Sequence, residues 1–180
     1  MTFSHYAALY TFGIFEKPAE SQINEGFRTR NDPLLQLVDR APGLVGRSGY
    51  EGDPGPGSWG KQVYPRFYLE KGDGWSPSTL SVWQDLESAL AFTYFGLHAE
   101  ALAHGREWFK KPEWPPYVLW WVNKKEFPNW SDGITRLEHL HDRGSMHYAF
   151  NFKNAFDASN NAYVVDRERV KQIAKAVSLG

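Results

Sequence analysis

At 180 residues, with 42% hydrophobic content and a formal net charge of −1, the chain can build one sizeable core but carries no excess of positive charge to track a phosphate backbone. It has no cysteine, which excludes disulfides, thiolate metal sites and a cysteine nucleophile. Aromatic residues make up 16% of the chain, eight of them tryptophan, a surplus that suits an interface or a pocket for a flat apolar ligand.

The opening MTFSHYAALYTF has no positive stretch followed by an apolar one, and no apolar run approaches about 18 residues. A cytoplasmic protein with neither a membrane nor a nucleic acid as partner is expected. HYAALYTFGIF (5–15) reads as a first strand and SQINEGFRTRNDPLLQLVDRAPG (21–43) as helix, with Pro33 beginning a second helical piece before a Pro-Gly turn. LVGRSGY (44–50) reads as a second strand. EGDPGPGSWGKQVYP (51–65) is a Gly/Pro loop without the order of a phosphate loop, so Trp59 at its tip suggests a lid. RFYLEK (66–71) and TLSVW (79–83) read as further strands.

Residues 85–109 predict one long helix, capped by Asp85, with Leu86, Leu90, Tyr94, Leu97, Ala101 and Trp108 at three- and four-residue steps. PYVLWWV (116–122) is the next strand, SDGITRLEHLHDRG (131–144) a helix with Ser131 as cap, and HYAFNF (147–152) a last strand. NAFDASNNAY reads as loop. DRERVKQIAKAV (166–177) is an amphipathic tail helix with Val170, Ile173, Ala174 and Val177 on one side.

This order predicts an α+β fold, a ferredoxin-like split βαβ with an antiparallel sheet over residues 1–152, and a C-terminal extension of loop and helix over 153–180. Trp120 and Trp121 pose a problem, because neighbouring strand residues point to opposite faces. One of them faces the helices. The other face would be a bare aromatic patch, and packing against a second copy's sheet would cover it. A homodimer is therefore expected.

Three stretches carry a resemblance: TLSVWQDLESALAFTYFGLHAEALAHGREWF, PYVLWWV, and RLEHLHDRG followed by AFNF. With His5, Ala7 and Leu9 and with APGLVGR (41–47), the match spans most of residues 5–152. The chain resembles a domain family of unknown function within the dimeric α/β-barrel superfamily typified by antibiotic-biosynthesis monooxygenases. That resemblance implies the fold and the dimer. It leaves open cofactor-free oxygenation, cyclisation, decarboxylation and haem chemistry, because fold does not choose among them. The chain departs from the family pattern at Ala8, Tyr10 and Gly46, and at Gly144, Ser145, Met146 and His147. Small residues at 8 and 46 suggest an enlarged cavity, and His147 would add an acid/base group to it.

His98 matches the family's single helix histidine and lies among apolar neighbours, so it is the leading general acid/base, with Tyr94 or His147 assisting. Arg47 and Arg106 are candidates to hold an anionic oxygen, Arg106 through a buried pair with Glu107. Trp83, Trp108, Trp120 and Trp121 would form pocket walls, joined by His5, Tyr10 and Gly46. His139 and His141 stand about 200° apart around a helix, too far to share a metal, and no metal site is expected. The expected activity is a cofactor-independent cyclisation, rearrangement, dehydration or decarboxylation of a hydrophobic aromatic or polycyclic intermediate of specialised metabolism. A monooxygenase, cofactor-free or with haem on His98, and a non-catalytic binder of apolar molecules are the rival expectations.

Overall fold

The computed structural model describes residues 4–178; the side chain of Val177, placed above on the apolar side of the tail helix, lies outside the described part. Four strands form one antiparallel sheet: β1 (His5–Phe12), β2 (Leu44–Arg47), β3 (Ser78–Trp83) and β4 (Tyr117–Asn123), in the order β2-β3-β1-β4. Among the described residues five α-helices accompany it: α1 (Glu25–Val38), α2 (Leu86–Tyr94), α3 (Gly96–Trp108), α4 (Trp130–Arg143) and α5 (Arg167–Ser178). A two-stranded hairpin, β5 (Ala155–Phe156) with β6 (Ala162–Tyr163), stands where the sequence suggested only loop. Among the described residues no helix is long and apolar enough to cross a membrane.

The period of two in β1 and β4 divides the core. Ala7, Leu9, Trp83, Leu119 and Trp121 face one way, where α2 and α5 supply Leu86, Leu90, Val170 and Ala174. Ala8, Tyr10, Val82, Val118 and Trp120 face the other. That second face is not bare. α4 covers it with Trp130 and Leu137, both fully buried, and residues 48–75 add Tyr50, Trp59, Tyr64 and Phe67. Trp120 is 1% exposed within a single chain, so the reason for expecting a sheet-to-sheet dimer is removed. Burying an indole of about 150–250 Å² is a term on the order of 5 kcal/mol, supplied here by the chain's own helix.

α4 can lie this close because Gly133 meets Tyr10: a Cβ on Gly133 would stand 2.7 Å from Tyr10 Cγ. The helix starts two residues earlier than a cap at Ser131 would place it. Asn129, not Ser131, caps it in a capping box, with Asp132 N–H donating to Asn129 Oδ1 (3.0 Å) and Asn129 N–H to Asp132 Oδ2 (2.9 Å).

Other boundaries also shift. Pro33 sits inside α1 without ending it, at the cost of one helical hydrogen bond. Residues 66–71 form no strand; Phe67 and Tyr68 pack onto the second face, and Arg66 N–H donates to Glu138 of α4. In 147–152 pairing with the sheet is reduced to a reciprocal bridge of Phe150 with Leu119 (2.8 and 2.9 Å). The C-terminal extension is part of the main core rather than an appendage. Buried Glu87 of α2 accepts from Tyr163 Oη (2.7 Å) and Asp166 N–H (3.0 Å), Asp85 pairs with Arg169, and Trp121 Nε1 donates to the Phe156 carbonyl (2.8 Å).

Candidate functional site

The predicted long helix breaks at its middle. Phe95 is extended (φ −132°, ψ 161°) and Gly96 takes φ +62°, a conformation glycine adopts without strain. The break deprives the end of α2 of its continuing turn, and one orphan carbonyl there, that of Thr93, is met by His98 Nδ1 at 2.8 Å. A carbonyl only accepts, so Nδ1 carries the proton and Nε2 keeps its lone pair. Nε2 bonds to no described residue.

The half-buried His98 ring packs on Phe92 (5.2 Å between centroids), which packs on Trp83 (5.4 Å); Trp83 Nε1 donates to Ser81 Oγ at 2.9 Å. Burial holds the imidazole pKa below its ordinary 6.5, the Thr93 carbonyl opposing this less strongly. The result is a neutral, tautomerically fixed imidazole at neutral pH. Tyr94 is 46% exposed at the same break, with its hydroxyl beside that of Tyr117. Burial first, and Tyr94 second, push the Tyr117 hydroxyl upward; it also accepts from Phe152 N–H at 3.3 Å.

The remaining expected site residues do not gather around His98. Arg47 is held bidentately by Asp39 (2.6 and 3.0 Å), so its charge is engaged. Arg106 and Glu107 are both exposed, and Glu107 bonds His104 instead, so there is no buried pair. Trp108 closes α3 in a separate aromatic cluster with Phe27 and Phe109. His5 bonds its neighbour Ser4 at the start of β1.

The space above Gly46 is filled rather than enlarged, since Trp59 and Phe127 stand 3.4 Å from where its Cβ would be; Trp59 packs on Phe127 at 4.7 Å and is no free lid tip. Tyr10 is fully buried, its hydroxyl pushed strongly upward by burial and without a partner of good geometry, Ser78 Oγ beside it already accepting from Gln62. His147 is half-buried with Nε2 enclosed and unpartnered; Asp157 is the charged group it influences.

A second neighbourhood lies at the outer edge of β4. Trp120 and Trp121 there meet Phe127, Asp132 and Arg136 around a cleft of about 210 Å³. Arg136 was passed over in the sequence, although it opens the RLEHLHDRG stretch. Only the fold reveals that its guanidinium lies against Trp120 (5.0 Å) and Tyr148 (4.7 Å). Glu87 was missed for a similar reason, since an acidic residue in a first helical turn usually faces water.

The chain belongs to the family described as "Domain of unknown function (DUF3291)", which matches residues 6–167. Among solved structures it is similar to the NE2512 protein of unknown function from Nitrosomonas europaea, at 11% identity and a TM-score of 0.41, covering 69% of this chain and 94% of that one. So distant a likeness carries no argument. No curated protein sequence matches the chain.

Proposed function

Taking the chain as a DUF3291 domain, we propose that it is a cofactor-independent acid/base enzyme of specialised metabolism. Its substrate is an aromatic or polycyclic intermediate with an acidic C–H or O–H bond, and the reaction is a cyclisation, rearrangement, dehydration or decarboxylation. The observation that carries this reading is His98: Nδ1–H anchored on the Thr93 carbonyl, Nε2 unengaged, and a pKa lowered by burial. Such an imidazole removes a proton at Nε2 while its charged form is held by the carbonyl, then returns the proton to product. Tyr94, exposed at the helix break, is the candidate partner at the mouth.

The antiparallel order β2-β3-β1-β4 supports a ferredoxin-like arrangement, and membership of the dimeric α/β-barrel superfamily stays in the proposal on the sequence resemblance. A homodimer stays in the proposal on the sequence resemblance alone, with a contact other than the covered sheet face. The same unengaged Nε2, with Nδ1–H fixed on a carbonyl, would also let His98 hold a haem iron, which would supply oxygen activation, and this favours a haem monooxygenase as the second reading.

Native mass spectrometry with an absorbance spectrum of freshly purified protein separates the two: haem mass and a Soret band would establish the second. For the first, aromatic and polycyclic ketones are incubated in D2O and proton exchange is followed by mass. Wild type is expected to accelerate exchange, and His98→Gln to lose about 10²–10⁴-fold of it. Equal exchange by wild type and His98→Gln would remove His98 from the chemistry.

A further inference from the structure

We propose that the cleft at the outer edge of β4 is a binding site for a small organic carboxylate with an aromatic or apolar body, received by Arg136. This does not rest on the His98 reading: Thr93 and Phe92, which hold His98, are not among the residues that line the cleft.

The argument begins with the charge on Arg136. Its side chain is 20% exposed and lies against the rings of both Trp120 and Tyr148, so the planar fork is held in place before any ligand arrives. Its Nε is buried and has no acceptor. Among the described residues Nη1 reaches only the Asp132 carbonyl at 3.4 Å and the Asp132 carboxylate at 3.8 Å. Nη2 bonds to no described residue.

Arg47 shows what a satisfied arginine looks like in this fold, with two carboxylate bonds of 2.6 and 3.0 Å. Arg136 lacks that because its nearest carboxylate is already used: Asp132 closes the capping box of α4 through Asn129 N–H. The α4 start thus positions an anion near the guanidinium but withholds it. A preorganised, under-compensated guanidinium in a partly enclosed cleft is a carboxylate receptor.

The walls narrow the ligand class. The accessible lining is mostly polar, from Asn123, Glu126, Asp132 and Arg136, while Trp121, Phe127 and Pro128 offer a smaller apolar surface to the body of a ligand. Asp132 and Glu126 place two carboxylates on the same walls, which disfavours a phosphate dianion more than a monoanion. The cleft is small, about 210 Å³, and open to solvent on one side, which suits a compact ligand of benzoate size.

The test titrates the protein with benzoate, with its neutral analogue benzamide and with inorganic phosphate, following the tryptophan indole N–H signals by NMR. Saturable shifts that include Trp120 are expected with benzoate and not with benzamide, and phosphate is expected to bind more weakly. Arg136→Lys, which keeps the charge but loses the fork, is expected to weaken benzoate about tenfold or more with little change in thermal midpoint. Should Arg136→Lys fail to fold, Phe127→Ala alters a ring that is 56% exposed at the mouth and is expected to weaken benzoate with the fold intact. No saturable benzoate shift, equal binding of benzamide, tighter binding of phosphate, or full benzoate affinity in the variants that fold would each overturn the proposal.

Discussion

Trp120 and Trp121 are neighbours in sequence, yet they sit in different surroundings. Trp120 is almost wholly enclosed among Trp130, Tyr10 and the Arg136 guanidinium, beneath a helix that a capping box starts and a glycine allows to approach. Trp121 is half-buried on the other face and spends its indole N–H on the Phe156 carbonyl, the start of the C-terminal extension. The first face is closed by packing. The second is closed by a tail fastened through polar groups, and the His98 junction lies on that side. Two layers of one chain therefore do what a pair of sheets from two chains was expected to do.

The comparison can be broken most forcefully at Trp120. Trp120→Ala is expected to cost about 3–5 kcal/mol of stability, the usual range for emptying an aromatic core position. Trp121→Ala should cost roughly half as much, because part of its indole already faces solvent. Urea unfolding of both variants reads the difference; equal costs would mean that the two faces are not closed differently.

The tail is the next place to press. Glu87→Leu removes the acceptor for Tyr163 Oη and Asp166 N–H, leaving two partly buried donors at a cost of about 1 kcal/mol each. The loss should be local, with faster amide exchange in α5 and little change in α4. Unchanged exchange in α5 would show that Glu87 does not fasten the extension. Tyr163, pushed up to about 12 by burial and by Glu87, should titrate nearer its ordinary 10.0 in the variant.

The smallest effect is that of pH on His98. Its folded pKa lies below the ordinary 6.5, so between the two values the unfolded chain binds the extra proton. Stability is therefore full above about 6.5 and falls as pH drops through that window, levelling off below the folded value. His98→Gln should flatten that limb of the curve. A wild-type limb with the same slope as the variant would locate the acid sensitivity elsewhere.

Much of the fold was legible in the sequence. The alternation in HYAALYTF and YVLWW, the Asp85 cap and the amphipathic tail each follow from local rules, and the structure places strands and helices there. What escaped was decided at a distance. A glycine at 96 inside a helical pattern costs little enough to be read through, yet it takes φ +62° and splits the helix. RFYLEK has the composition of a strand, but its aromatic residues answer to the sheet face above them and not to a ladder.

The site was legible only in part. His98 lies half-buried against Phe92, but Arg106 and Trp108 sit two turns or more further along the same helix, Arg106 exposed and Trp108 in the cluster with Phe27 and Phe109, so neither reaches it. Arg47 read as a free cation because Asp39 lies eight residues back, outside any helical or strand spacing. Arg136 carries no local signal at all; only packing α4 on the sheet brings it to Trp120.

The most direct test of the central claim is a pH titration of the His98 ring nitrogens by ¹⁵N NMR, on protein labelled at histidine and assigned with His98→Gln. The account predicts a proton on Nδ1, a lone pair on Nε2, and a midpoint below 6.5. A ring protonated on Nε2 in its neutral form, or a midpoint above 6.5, would contradict it and leave the helix break without a poised base.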